Sequence, residues 1–137
     1  MNARAFFDSN VLVYLFDQAN QVKREAATAA LNGYAPVVSA QVLSEFYWVT
    51  TRKLPHPLAP AMAQEAVTEF ANFEVVPLDS ALVGRAIETS QRCQLSYWDA
   101  LIVEAAASAG CEELLTEDLA AGARLRGVRV VNPFAGG

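Results

Sequence analysis

Five short runs rich in Val, Phe and Leu recur along the chain: "AFFD", "PVVSA", "FEVVPL", "ELLTE" and "VRVVN". Between them lie longer segments of helical periodicity, among them Lys23 to Leu31, Gln41 to Arg52, Ala61 to Phe70 and Ser80 to Arg92. Short apolar runs alternating with such segments describe a parallel sheet with helices on both faces, so the expected fold class is a three-layer α/β/α domain. Ser39, Asp79, Ser96 and Asp118 stand where helix N-caps are expected, each just before a helical segment. In sheets of this kind ligands bind beyond the carboxyl ends of the strands, so chemistry is expected where strand turns into helix.

With 137 residues, 53% of them hydrophobic, the chain can bury one sizeable core and is too short for two typical ones, so residues 1–137 are expected to form a single domain. No apolar run approaches the ~18 residues a membrane span needs, and the opening "MNARAFFDSN" lacks a long apolar signal region. A cytoplasmic protein with no membrane partner is therefore expected. Cys93 and Cys111 have no metal-type spacing and only His56 beside them in the inventory, so both are expected to be free core thiols. The net charge of −5 argues against a broad nucleic-acid surface held by counterion release, while leaving room for a local site whose negative charge metal ions offset.

The stretch "LSYWDALIVEAAASA", residues 95 to 109, reads as a helix apolar on nearly every side, with an aspartate inside it. At about 100° per residue Asp99 shares its face with Ile102, Val103 and Ala106, whereas Glu104 points the other way. Glu104 is expected to reach water and Asp99 not to, and an ionised carboxylate out of water needs a partner. Three more acidic positions compete for the same region. Asp8 ends the first strand in "FFDSNVLVY", Asp118 follows the fourth beside Glu117 in "LLTEDL", and Glu45 lies at the edge of the apolar arc of "AQVLSEFYWVTTRK". Each has a structural explanation too: Asp8 and Asp118 as caps, Ser96 with Asp99 as a near capping box, Glu45 as a solvated helix residue. Taken together, several carboxylates at strand ends would repel one another unless a cation sat between them. Oxygen donors without histidine or cysteine favour Mg²⁺ or Mn²⁺ over zinc.

These motifs, with Asp8 and Asn10, Glu45, Asp99, and Thr116 with Asp118 in chain order, resemble the PIN-domain ribonucleases, specifically the VapC-like toxins of toxin–antitoxin pairs. The resemblance implies a PIN-like α/β/α fold with a central parallel sheet, a Mg²⁺- or Mn²⁺-dependent endoribonuclease, and inhibition by a small antitoxin; a homodimer is the expected assembly. Asp8, Glu45 and Asp99 match three family acidic positions, and Asp118, two residues after Thr116, is preferred over Glu117 as the fourth. All four are thus candidate catalytic and metal-binding residues, with Asp8 and Asp99 as main ligands, Asp118 completing the cluster, and Glu45 also orienting the nucleophile. Ser9, Asn10 and Thr116 are candidates for fixing the carboxylate rotamers, or plain turn and capping residues.

Lys23 with Arg24, and Arg52 with Lys53, are candidate phosphate contacts for an RNA substrate. Trp48 falls outside the apolar arc of its helix and, with Tyr14 and Tyr47, marks an expected antitoxin surface. Two other readings compete. A haloacid dehalogenase-type phosphatase would use Asp8 as nucleophile, but its usual second aspartate is Asn10 here and no suitable lysine is evident. A non-catalytic PIN-like binding module has no need of clustered carboxylates.

Overall fold

Ala5, Phe6 and Phe7 are all buried, although successive side chains of a strand point to opposite faces. A strand can bury both faces only between two layers. In the computed structural model, which describes residues 2–135, this strand, β1 (Arg4–Phe7), lies inside a six-stranded sheet. The others are β2 (Ala35–Ser39), β3 (Glu74–Val76), β4 (Glu113–Leu115), β5 (Arg124–Leu125) and β6 (Val128–Val131), in the order β3-β2-β1-β4-β6-β5. Helices flank the sheet: α1 (Ser9–Tyr14), α2 (Gln21–Gly33), α3 (Ala40–Arg52), α4 (Pro60–Phe70), α5 (Ser80–Cys93) and α6 (Tyr97–Ser108). The expected α/β/α class is the one observed. Phe6 pairs with Val37 of β2 and Leu114 of β4, so these strands end at one level and deliver Asp8, Ser39 and Thr116 to the same edge.

Ser39, Asp79 and Ser96 cap α3, α5 and α6 through their side-chain oxygens, as expected. In the core, the Phe46 and Phe70 rings meet edge to face with centroids 5.1 Å apart, tying α3 to α4. Cys111 is buried and Cys93 half-buried, both as free thiols. Among the described residues no helix is long and apolar enough to cross a membrane.

The structure adds an antiparallel edge to the expected parallel sheet and corrects two expectations. The sheet is mixed, because β5 runs antiparallel to β6. The two strands are joined by Arg126 and Gly127, at φ +54° and +80°, and two consecutive left-handed residues make the turn whose twist suits a two-residue hairpin. Asp118 caps no helix, since a loop leads from it to β5. The two acidic residues of α6 also exchange places: Glu104 is 2% exposed, while Asp99, at the start of the helix, is only half-buried. The face carrying Glu104 is covered by α5 and by the hairpin turn. Its carboxylate accepts from Thr89 Oγ1 at 3.0 Å and Arg126 Nε at 2.9 Å, with Arg85 Nε 3.8 Å away.

Candidate active site

Asp8 leaves β1 with its backbone N–H still donating to Leu115 O, so the side chain is fixed at the sheet edge, 5% exposed. Its Oδ1 accepts from Ser9 N at 2.7 Å and its Oδ2 from Thr116 Oγ1 at 2.8 Å. Asn10 Nδ2 lies 3.4 Å from the same Oδ2 and 3.0 Å from Asp118 Oδ2, bridging two carboxylates 110 positions apart in numbering, Asp8 and Asp118. The Asp118 N–H in turn donates to Thr116 Oγ1 at 3.1 Å. Thr116 and Asn10 are thus more than turn residues: they hold the rotamers of both aspartates.

Glu45, half-buried on α3, joins this group through Ser9 Oγ, which donates to its Oε1 at 3.1 Å. Gln41, one turn earlier, donates to Glu45 Oε2 and to Trp98 O, both at 3.3 Å. It thereby ties Glu45 to the first turn of α6, where Asp99 stands. Sequence reasoning missed Gln41. The i, i+4 spacing to Glu45 was the available signal, since residues four apart share a helix face. At Asp99 the backbone N–H donates to Ser96 Oγ at 3.1 Å, and the carboxylate makes no hydrogen bond among the described residues. Ser96 therefore caps without the reciprocal bond of a capping box. Among the described residues, no three acidic, histidine or cysteine side chains converge tightly enough, as placed, to hold one ion.

Glu117 turns away from the group. Tyr14 Oη donates to its Oε1 at 2.7 Å and Lys23 Nζ to its Oε2 at 2.8 Å, so Asp118 is the residue brought to Asp8. Lys23 is consequently no free phosphate contact: Glu117 and Tyr14 hold its ammonium and raise its pKa. Tyr14 is half-buried, its ring packed edge to face against that of Phe134.

Burial pushes the Asp8 carboxyl up to about 7; the Thr116 and Ser9 hydrogen bonds oppose the shift, and the charges of Glu45 and Asp118 add to it. A folded pKa above the unfolded one means the metal-free protein loses stability as pH rises from the ordinary carboxyl value, 3.8, through about 7. Asp8→Asn is accordingly expected to stabilise the metal-free protein by about 1 kcal/mol at pH 8, read as a higher melting temperature, and to give no gain at pH 4. Added Mg²⁺ should stabilise the wild type by about 2.7 kcal/mol at a hundredfold excess over its Kd, and the variant much less. Thermal melts in chelator and in Mg²⁺ measure both; a wild-type melting temperature indifferent to millimolar Mg²⁺ would contradict a cation at this edge.

A family model of the PIN domain matches residues 5–123. No curated protein matches the chain. Among solved structures, the chain is similar to a toxin–antitoxin complex from Klebsiella pneumoniae, at 23% identity and TM-score 0.72, over 94% of this chain and 97% of that one. FitAcB from Neisseria gonorrhoeae matches at 18% identity and TM-score 0.67, over 96% and 99%. VapC20 of Mycobacterium tuberculosis, a sarcin-ricin loop cleaving toxin, matches at 19% identity and TM-score 0.64, over 80% and 86%. At these identities the likeness speaks for the fold.

Proposed function

The chain belongs to the PIN domain family, and from that premise we propose that it is a metal-dependent endoribonuclease, the toxin of a toxin–antitoxin pair, hydrolysing RNA phosphodiester bonds. The observation that carries this reading is the bridge of Asp8 and Asp118 by the Asn10 amide, with Glu45 drawn in through Ser9. The donors are all oxygens, and a buried carboxyl pushed up to about 7 gains most from a nearby cation. That donor chemistry fits Mg²⁺ or Mn²⁺, with Asp8, Asp99, Asp118 and Glu45 as the groups that would hold it. A divalent ion bound there supplies Lewis acidity, neutralising the phosphodiester and making water a better nucleophile at neutral pH.

The chain's own residues do the rest. Thr116 and Ser9 fix the Asp8 carboxylate, so its charge faces the substrate without rotamer cost. Glu45, half-buried and anchored by Ser9 and Gln41, is positioned to accept the proton of the attacking water. The likeness to a toxin–antitoxin complex and to a sarcin-ricin loop cleaving toxin supports the substrate and the partner. Partner-free protein should cleave RNA with Mg²⁺ or Mn²⁺; undiminished cleavage in excess chelator rejects the metal mechanism. The reading further takes the protein as one cytoplasmic domain that pairs with a second copy, which light scattering after gel filtration tests.

The antitoxin surface is assigned to the groove between α3 and α4, about 540 Å³, where Leu43, Tyr47, Trp48 and Val67 meet solvent. Trp48 is 52% exposed, and the Arg52 guanidinium lies 4.2 Å over its ring. Exposed aromatics of this kind are frequent binding hot spots. Trp48→Glu is expected to weaken the complex with a co-purifying antitoxin at least tenfold while sparing RNA cleavage. A complex of unchanged affinity by titration calorimetry would move the partner elsewhere.

A further inference from the structure

Beside the acidic group opens a cleft of about 340 Å³, lined by Asn10 and Asp118 together with Val49, Lys53, Leu54 and Pro55. Six of the ten cationic side chains are engaged in ion pairs: Arg4, Lys23, Arg85, Arg92, Arg126 and Arg129. Arg52 lies over the Trp48 ring. Of the remaining three, Arg24 lines a separate groove beside Glu25, and Arg124 lines a cavity with Arg4 and Gly110, at the opposite ends of the strands. Lys53 alone stands in the cleft of the acidic group with no ion pair among the described residues, exposed just after α3.

A polyanion approaching a cluster of carboxylates needs positive charge on its flanks, and on a chain of net charge −5 that charge must be local. We infer that this cleft receives the nucleotide next to the scissile bond, Lys53 contacting the phosphate on its outer side and Val49, Leu54 and Pro55 forming an apolar wall against its base. The cleft's volume lies at the lower end of the range of ligand pockets, suited to one such group. The cleft also carries the Ser9 and Tyr14 hydroxyls and the Asn10 amide, but these donate to Glu45, to Glu117 and to the Asp8–Asp118 pair, so the apolar wall holds a base by contact without reading its identity. Asp17, the other acidic residue lining the cleft, disfavours a second anion there. The inference deepens the ribonuclease reading and rests on it.

The test compares full-length wild type, Lys53→Gln and Lys53→Arg, with Arg92→Gln, in a surface ion pair on α5, and Arg124→Gln as controls. A fluorophore–quencher RNA hexamer in Mn²⁺ reads KM and kcat. A labelled ten-nucleotide RNA of mixed sequence, bound to Asp99→Asn protein in millimolar Mg²⁺ with and without Lys53→Gln, reads Kd without cleavage. Lys53→Gln is expected to raise KM and Kd roughly five- to tenfold with kcat within twofold, and to reduce the slope of log Kd against log salt by about 0.7, the share of one phosphate on a single strand. Lys53→Arg should restore most of the KM, and the controls should match wild type. Unchanged KM, Kd and salt slope in Lys53→Gln overturn the inference while leaving the ribonuclease intact. A lowered melting temperature and kcat with KM unmoved likewise overturn it, making Lys53 only a favourable charge at the helix end. Wild-type protein that neither binds nor cleaves RNA overturns both readings.

Discussion

Asp99→Asn is expected to lower RNA cleavage by about three orders of magnitude, roughly 4 kcal/mol of transition-state stabilisation at 1.36 kcal/mol per decade, with the fold intact. The reason lies in how little else the carboxylate does. It makes no hydrogen bond among the described residues, it is half-buried, and the helix start it occupies is capped by Ser96, whose bond is to the Asp99 backbone N–H. Asparagine keeps the size and that backbone bond and removes the charge. The one structural loss is a favourable negative charge in the first turn of α6, on the order of 0.5 kcal/mol. Asp99→Asn should therefore melt slightly below wild type in chelator, whereas Asp8→Asn should melt above it. Measured kcat/KM within tenfold of wild type would remove Asp99 from the chemistry.

The second large effect concerns stability. Glu104→Ala is expected to destabilise the protein by about 2–3 kcal/mol, lowering the melting temperature by roughly 8 °C. Removing one partner of a buried ion pair typically costs about 3–5 kcal/mol when the remaining charge stays buried. Here the remaining charges are Arg85 and Arg126, whose side chains are close to half exposed and can return to water, so the lower end applies. Glu104→Gln, which preserves the Thr89 hydrogen bond and the shape, should lose about half as much. Arg126 sits at a left-handed φ of +54°, which only a well-held turn tolerates without cost. Loss of its Glu104 partner should thus loosen the β5–β6 hairpin first. Faster amide exchange at Gly122 and Val130, whose N–H groups bond within that region, would report it. A melting temperature within 2 °C of wild type would mean that the pair contributes no more than a surface ion pair.

Much of the frame is legible because it rests on short-range terms. The caps at Ser39, Asp79 and Ser96 need only a side-chain oxygen three residues before an orphan N–H. The apolar runs of β1 and β4 need only burial on both faces, and Asp8, Glu45, Asp99 and Thr116 with Asp118 are recognisable by their order along the chain. What escaped depends on distant partners or on an unusual local residue. Lys23 reads as a free cation until Glu117, ninety-four positions on, is folded against it. The turn at Arg126 and Gly127 is a local signal obscured because arginine rarely adopts positive φ, and its reward is the distant Glu104.

Periodicity, capping and backbone propensity act over a few residues, so five of the six strands, the starts of α3, α5 and α6, and the acidic residues at strand ends are readable along the chain. Which apolar face is covered, and which carboxylate meets a partner, depends on elements far apart along the chain. A helical projection places Asp99 and Glu104 on opposite sides of α6, yet it cannot say that α5 and the β5–β6 hairpin close over Glu104 while the start of α6 leaves Asp99 half open. Burial of a charge depends on what long-range packing brings to it: two arginines for Glu104, and for Asp8 a threonine hydroxyl and the amide of Asn10 that joins it to Asp118.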